Sequence, residues 1–346
     1  MNTNVPNTLP KLDFNITNRC NFRCRHCCFK SGEVNLKEFS YKKIVDILRE
    51  FKSLGGERFD VTGGEALVRA DVGRIVKAGK DLGLKIELVT NGSLLTDEKL
   101  RKFKEIGLDA IAVSLDGSTY EVYRKIRPVT GEIYDTVVAN IQKCVQHGFP
   151  TKVNIVVFKS NFGDLSKIVE RCIAWGVKEC GFYYFTPVGR GEGSPDEVVS
   201  PAEWLGFIRT GLCEFKDRIK ISVETPIIEK EILAKRELAA SCYLKNPWHL
   251  QILPDGNVYP CAIMAFYGKP CGNLYKQTLT EIWRDRKLWD GGYYRENVRP
   301  YFKKCGGCVD YGRSFKDIVS TDEYTFVCLM CKFKINDLCK TPKKEN

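Results

Sequence analysis

No stretch of this 346-residue chain approaches the roughly 18 consecutive apolar residues a membrane-spanning helix needs. The first eleven residues are polar, hold two prolines and lack the apolar core of an export signal. A cytoplasmic location with no membrane attachment is therefore expected. With 43% hydrophobic and 28% charged residues, the chain is neither disordered nor collagen-like. Its length allows one large domain or two ordinary ones around a well-buried core. Against this ordinary background stand 16 cysteines. A reducing cytosol disfavours structural disulfides, so metal or redox chemistry is the expected use for them. The net charge of +11 fits an anionic partner or simply a lysine-rich solvated surface.

Five times a helix-like stretch meets a glycine stop and then a β-rich run: at Gly55-Gly56, Gly83, Gly107, Gly148 and Gly176. The runs that follow are ERFDVT, KIELVT, DAIAVSL, PTKVNIVVF and KECGFYYF, and LDFNIT at 12–17 supplies an earlier strand, making six. Apolar spacings of three and four mark helices over 41–51 and 133–145. Strands alternating with helices predict a parallel sheet with crossover helices. Six units are too few for a closed eight-stranded barrel, leaving an open, partial (β/α)6 barrel or a doubly wound sheet. In both, ligands sit at the C-terminal strand ends, where this sequence places NRC, TGGE, TNG, SLDG, KSN and TPVGR. The periodicity degrades after about residue 199, where a proline-started helix covers 201–215. We therefore expect a core domain over 1–220, a bridge over 221–241 and a loop-rich, cysteine-rich domain over 242–346.

Cys20, Cys24 and Cys27 form C-x3-C-x2-C directly after the first strand. Three thiolates in a tight loop leave one iron of a 4Fe-4S cluster with an open coordination position; a zinc site or three buried thiols are the alternatives. Gly63-Gly64-Glu65 ends the second strand, its bare backbone permitting close approach of a small polar ligand and its carboxylate able to pair with an ammonium group.

In order along the chain, C-x3-C-x2-C, GGE, TNG and SLDG at successive strand ends resemble the radical S-adenosylmethionine (SAM) superfamily over residues 12–190. The resemblance implies a partial (β/α)6 TIM-like barrel. It implies a 4Fe-4S cluster on Cys20, Cys24 and Cys27 whose open iron chelates the amino and carboxylate groups of SAM. Gly63, Gly64 and Glu65 would hold the methionine ammonium, Ser114 and Arg127 the carboxylate or ribose, and Asn154 a further contact. His26 would flank the adenine. Ala66 stands where the family often has proline. The implied activity is reductive cleavage of SAM to a 5′-deoxyadenosyl radical that abstracts a substrate hydrogen, with a flavodoxin- or ferredoxin-like electron donor.

Beyond residue 240 lie Cys242, Cys261, Cys271, Cys305, Cys308, Cys328, Cys331 and Cys339. Eight thiolates suffice for two four-cysteine clusters, although two C-x2-C pairs nineteen residues apart also read as a zinc ribbon. Cys242, thirteen residues, Gly256, four residues, Cys261 resembles the opening of the SPASM extension of radical SAM enzymes. The stretch from Cys271 through LTEIW resembles its middle, while the later spacing departs from the family pattern. The resemblance implies two auxiliary clusters. Cys28, Cys144, Cys172, Cys180 and Cys213 read as small core side chains. Three clusters would bring the net charge to roughly +6.

The expected function is hydrogen abstraction from a peptide or small protein in a post-translational modification. With the first cysteine at position 20, no leader-recognition module is expected before the barrel, which tempers that reading. Side-chain chemistry on a tetrapyrrole, as in haem synthesis, is the second reading, its anionic propionates suiting a basic protein. A zinc-stabilised nucleic-acid-binding protein is the third, but it gives the ordered strand ends no purpose, and no nucleic-acid partner is expected.

Overall fold

All five glycine joints are helix ends whose glycine adopts the left-handed conformation: Gly55 (φ 79°), Gly83 (71°), Gly107 (76°), Gly148 (71°) and Gly176 (77°). The helices they close are α1 (Tyr41–Ser53), α2 (Val72–Asp81), α3 (Asp97–Glu105), α5 (Gly131–Gln146) and α6 (Leu165–Ala174), with the short α4 (Tyr120–Ile126) before α5. This computed structural model describes residues 8–33, 36–224, 227–229, 249–260, 264–267, 269–285, 324–326, 332–334 and 339. Helix α1 starts where the Ser40 side chain accepts from the Lys43 amide, and it buries Ile44, Ile47, Leu48 and Phe51. Each of those four side chains contributes about 1.5–3 kcal/mol by leaving water.

The six expected strands are β1 (Lys11–Asn15), β2 (Arg58–Thr62), β3 (Lys85–Thr90), β4 (Ala110–Ser114), β5 (Thr151–Val157) and β6 (Glu179–Tyr184). They pair in parallel in chain order, with register pairs such as Leu12↔Phe59 and Val61↔Leu88. Two further parallel strands flank them. β7 (Lys220–Glu224) continues the sheet beyond β6, and β9 (His249–Ile252) lies beside β1 in the register Lys11↔His249. The short strands β10 (Asn257–Tyr259) and β11 (Gly272–Asn273) extend the β9 edge antiparallel, and β13 (Lys332–Lys334) does so at β7. β8 (Ile227–Glu229) and β12 (Tyr324–Phe326) form a separate pair. Among the described residues the strand order is linear with two ends, so the barrel they form is open. The expected core boundary at 220 falls at the first residue of β7, and segments beyond it supply strands to both edges of the same sheet. The predicted helix over 201–215 is α-helical over Pro201–Phe207 (α7) and continues in π and 3-10 turns.

Along each strand the two faces differ in kind. Leu12, Phe14, Phe59, Val61, Leu88, Ile111, Val153, Ile155 and Phe182 are wholly buried in the apolar core. The alternate residues, among them Lys11, Asp13, Asp60, Glu87, Lys152 and Tyr183, line a cavity inside the sheet. Ion pairs satisfy this polar interior: Lys11 with Asp13 at 2.8 Å and Asp60 at 3.0 Å, Arg58 with Asp60 at 2.8 Å, Lys152 with Glu179 at 3.3 Å. Among the described residues, no helix is long and apolar enough to cross a membrane.

Candidate functional site

The cysteine loop after β1 is clamped from two sides. On one, the Gly64 amide donates to Thr17 O at 2.7 Å and the Glu65 amide to Arg19 O at 2.9 Å. A Cβ on Gly64 would stand 2.4 Å from Arg19 O, and one on Gly63 2.7 Å from Thr17 O. The close approach these glycines allow is thus made by the chain's own backbone leading into Cys20. On the other side, Arg190 follows β6 and donates through Nη1 to Cys24 O at 2.7 Å, through Nη2 to Ser31 O at 3.1 Å and through its amide to Cys27 O at 3.0 Å. Gly189 makes room for this, with φ 60° and a would-be Cβ 2.2 Å from Cys28 O.

Each sulfur of the triad accepts a hydrogen bond: Cys20 from the Phe22 amide at 3.3 Å, Cys27 from the Ser31 amide at 3.3 Å, Cys24 from Arg127 Nη1 at 3.4 Å. All three cysteines line one cavity of about 690 Å³, together with Gly63, Gly64, Ser114, Arg127, Asn154 and His26. Burial pushes the Cys20 thiol up and the Cys24 thiol to about 11, so their ionisation depends on a metal partner. Among the described residues, no three His, Cys, Asp or Glu side chains are gathered closely enough to hold a single ion. The fit to a 4Fe-4S group rests on the donor set: three thiols on one loop, facing one cavity, each sulfur with its own N–H donor.

Two of the residues expected at SAM make contacts within the protein. Glu65 does not line the cavity. Its carboxylate is 1% exposed and accepts from Thr90 Oγ1 at 2.7 Å, the Asn91 amide at 2.7 Å and the Leu67 amide at 3.1 Å. It ties the GGE turn to the TNG turn, and Asn91 Nδ2 in turn donates to Asn21 Oδ1 in the cysteine loop at 2.9 Å. Arg127 reaches the cavity but is spent on the protein, with Nε on Asp116 Oδ2 at 2.5 Å, Nη1 on Cys24 and Nη2 3.3 Å from His26 Nε2. Because a guanidinium only donates, His26 Nε2 is the acceptor there, which assigns the ring proton to Nδ1. Among the described residues Nδ1 is buried without a hydrogen-bond partner, and burial, with the Arg127 charge adding, holds the ring at about 4, neutral near pH 7. An orphaned donor beside the three cysteines fits a bound small molecule there. Ser114 and Asn154 are half-buried cavity walls, Asn154 Oδ1 accepting from Tyr183 Oη at 3.2 Å.

Of the second cysteine set, Cys242, Cys261, Cys305, Cys308, Cys328 and Cys331 lie outside the described residues. Cys271 is a free thiol that burial raises to about 12, its sulfur bonded to Val258 O at 3.2 Å. Cys339 corrects the expectation for it: it forms a disulfide with Cys213, Cα–Cα 5.8 Å. A sulfur in that disulfide has no thiolate to offer iron, so Cys213 is not a lone core thiol and the other seven C-terminal cysteines are the candidates for auxiliary clusters. Cys144, Cys172 and Cys180 are fully buried, as expected of core side chains.

Sequence reasoning missed Arg190 and the polar interior. The signal for Arg190 was a cation directly after glycine at the end of β6. The signal for the interior was charge recurring at every second strand residue: Lys11 and Asp13, Arg58 and Asp60, Lys85 and Glu87.

Residues 14–172 match the model of the radical SAM superfamily, and residues 242–309 match the SPASM model of an iron-sulfur cluster-binding domain. The chain is 28% identical over 337 residues to an AdoMet-dependent heme synthase of Methanosarcina barkeri, covering 88% of this chain and 92% of that protein. It is 28% identical over 318 residues to the antilisterial bacteriocin subtilosin biosynthesis protein AlbA of Bacillus subtilis, covering 85% and 66%. Streptococcus suis SuiB bound to S-adenosylmethionine shares the fold, with TM-score 0.71 at 16% identity over 86% of this chain and 69% of that one. With both models matched in order on one chain that carries C-x3-C-x2-C at the mouth of an open parallel barrel, the protein belongs to the radical SAM superfamily and is an iron-sulfur, SAM-dependent enzyme with a SPASM domain.

Proposed function

We propose that Cys20, Cys24 and Cys27 hold the 4Fe-4S cluster at which SAM is cleaved, and that the hydrogen removed belongs to a side chain of a tetrapyrrole, in chemistry of the haem-synthesis type. The observation that carries the substrate class is the match to an AdoMet-dependent heme synthase over 88% of this chain and 92% of that protein. Held by Cys20, Cys24 and Cys27, a bound 4Fe-4S group would supply the electron for reductive cleavage of SAM, and the chemistry it would open is hydrogen-atom abstraction from substrate.

The chain's own residues do the rest. Gly63 and Gly64 let the second strand end approach the cysteine loop, Glu65 fixes that turn, and Arg190 closes the loop from the β6 side. The His26 ring lines the cavity, while Phe158, packed on it at 6.0 Å between ring centroids and stacked on Phe185 at 4.1 Å, keeps water from that wall. Ser114 and Asn154 offer polar atoms at mid-depth. The remaining seven C-terminal cysteines supply auxiliary clusters, and a flavodoxin- or ferredoxin-like protein supplies electrons.

A second reading, modification of a peptide, is favoured by the likeness to AlbA over 85% of this chain. Anaerobic incubation with reductant, SAM and an iron porphyrin bearing propionate side chains separates the two. The first reading expects 5′-deoxyadenosine in step with a mass loss from the porphyrin. SAM cleavage indifferent to the porphyrin but stimulated by a peptide encoded beside this gene would transfer the assignment to the second.

A further inference from the structure

The three cysteines of the loop take unlike donors. Cys20 and Cys27 each receive a backbone N–H at 3.3 Å, from Phe22 and Ser31. Cys24 instead receives Nη1 of Arg127 at 3.4 Å. A guanidinium keeps its proton in any protein, so a permanent positive charge stands against one sulfur of the triad. The arrangement is fixed on every side. Arg127 is 5% exposed, and its Nε is held by Asp116 at 2.5 Å. Asp116 is fully buried and its other oxygen accepts the Val156 amide at 2.7 Å. The carboxylate binds one nitrogen and the sulfur another, so at Cys24 the cation is the nearer charge.

We propose that Arg127 is a positioning residue that raises the reduction potential of the cluster held by Cys20, Cys24 and Cys27, acting through the Cys24 sulfur, with Asp116 as the opposing charge. This rests on the reading of those three cysteines as cluster ligands. Reduction spreads one added negative charge over the cluster and its sulfurs. A charged donor at a ligand sulfur stabilises the reduced form more than the oxidised one, and burial leaves that effect little screened by water. The opposite sign follows for Asp116, whose carboxylate offsets part of the guanidinium charge. Arg127 therefore serves the electron step.

Redox titration of the reconstituted full-length protein, followed by electron paramagnetic resonance, tests this on the signal that changes when SAM is added. Arg127→Met should lower the midpoint enough to cut the reduced-to-oxidised ratio at fixed poise about tenfold, 59 mV for one electron. Asp116→Asn should shift it upward. Because Arg127→Met leaves Asp116 buried without its partner and can fail to fold, Arg127→Met/Asp116→Asn is compared with Asp116→Asn alone, and the double variant should lie lower. Opposite signs for the two single variants are not what a merely structural role produces. Midpoints that stay put, or move in the same direction, overturn the proposal. Failure of the underlying cysteine reading looks different, because wild type would then show no SAM-responsive signal.

Discussion

At the scale of single residues, the GGE motif shows a carboxylate with a structural role inside the protein. Glu65 was expected to meet the SAM ammonium, yet its carboxylate receives three donors from Thr90, Asn91 and Leu67 and is closed off from the cavity. Glu65→Gln places an amide NH2 against those donors and leaves one of them opposed. A loss of roughly 1–3 kcal/mol in the stability of the SAM-free protein is expected, read by denaturant unfolding. A variant as stable as wild type without SAM but weakened in SAM binding would return Glu65 to the ligand. The motif was legible because it stands at a strand end in fixed order with the cysteines. The destination of its carboxylate was not, because the three donors come from the residue two positions on and from a turn 25 residues away. Arg127 was legible as a cavity cation for the same reason, and its bond to Cys24 was not.

At the scale of the elements, the helix stops were written plainly in five glycines, and the six strands between them followed. β7 and β9 were missed because they lie outside the repeated unit, β7 after irregular helical turns and β9 inside the cysteine-rich segment. The strands also alternate, where a parallel sheet covered by helices is usually apolar on both faces. The alternation is the mark of an open polar interior, and the charges in it pair with one another. His249 on β9 belongs to this interior: it is 2% exposed and 3.6 Å from Asp13, and burial, with the Lys11 charge adding, holds it down at about 3. A histidine whose folded value lies below its unfolded value near 6.5 stabilises the fold above pH 6.5 and withdraws that support as the pH falls towards 3. Between pH 7 and pH 5 the loss from this group is about 2 kcal/mol. His249→Gln should flatten the decline of the denaturation midpoint over that interval by a corresponding amount; an unchanged slope would remove His249 from the account of acid sensitivity.

At the scale of the whole molecule, sheet and cysteines bind the two halves of the chain together. β9 pairs with β1, β10 with β9 and β13 with β7, and the Cys213–Cys339 disulfide joins positions 126 residues apart. Cys339→Ser is expected to cost about 2–4 kcal/mol of stability in the oxidised protein by removing the disulfide while leaving its iron content unchanged. A fall of about four iron atoms per chain would restore Cys339 to a cluster. The central claim is that the loop of Cys20, Cys24 and Cys27 holds the cluster at which SAM is cleaved. It is tested by iron and 5′-deoxyadenosine analysis of the anaerobically reconstituted Cys20→Ala/Cys24→Ala/Cys27→Ala variant. The account predicts about four fewer iron atoms per chain than wild type, the auxiliary iron retained, and no 5′-deoxyadenosine. A folded variant that keeps its full iron complement and cleaves SAM at the wild-type rate would contradict it.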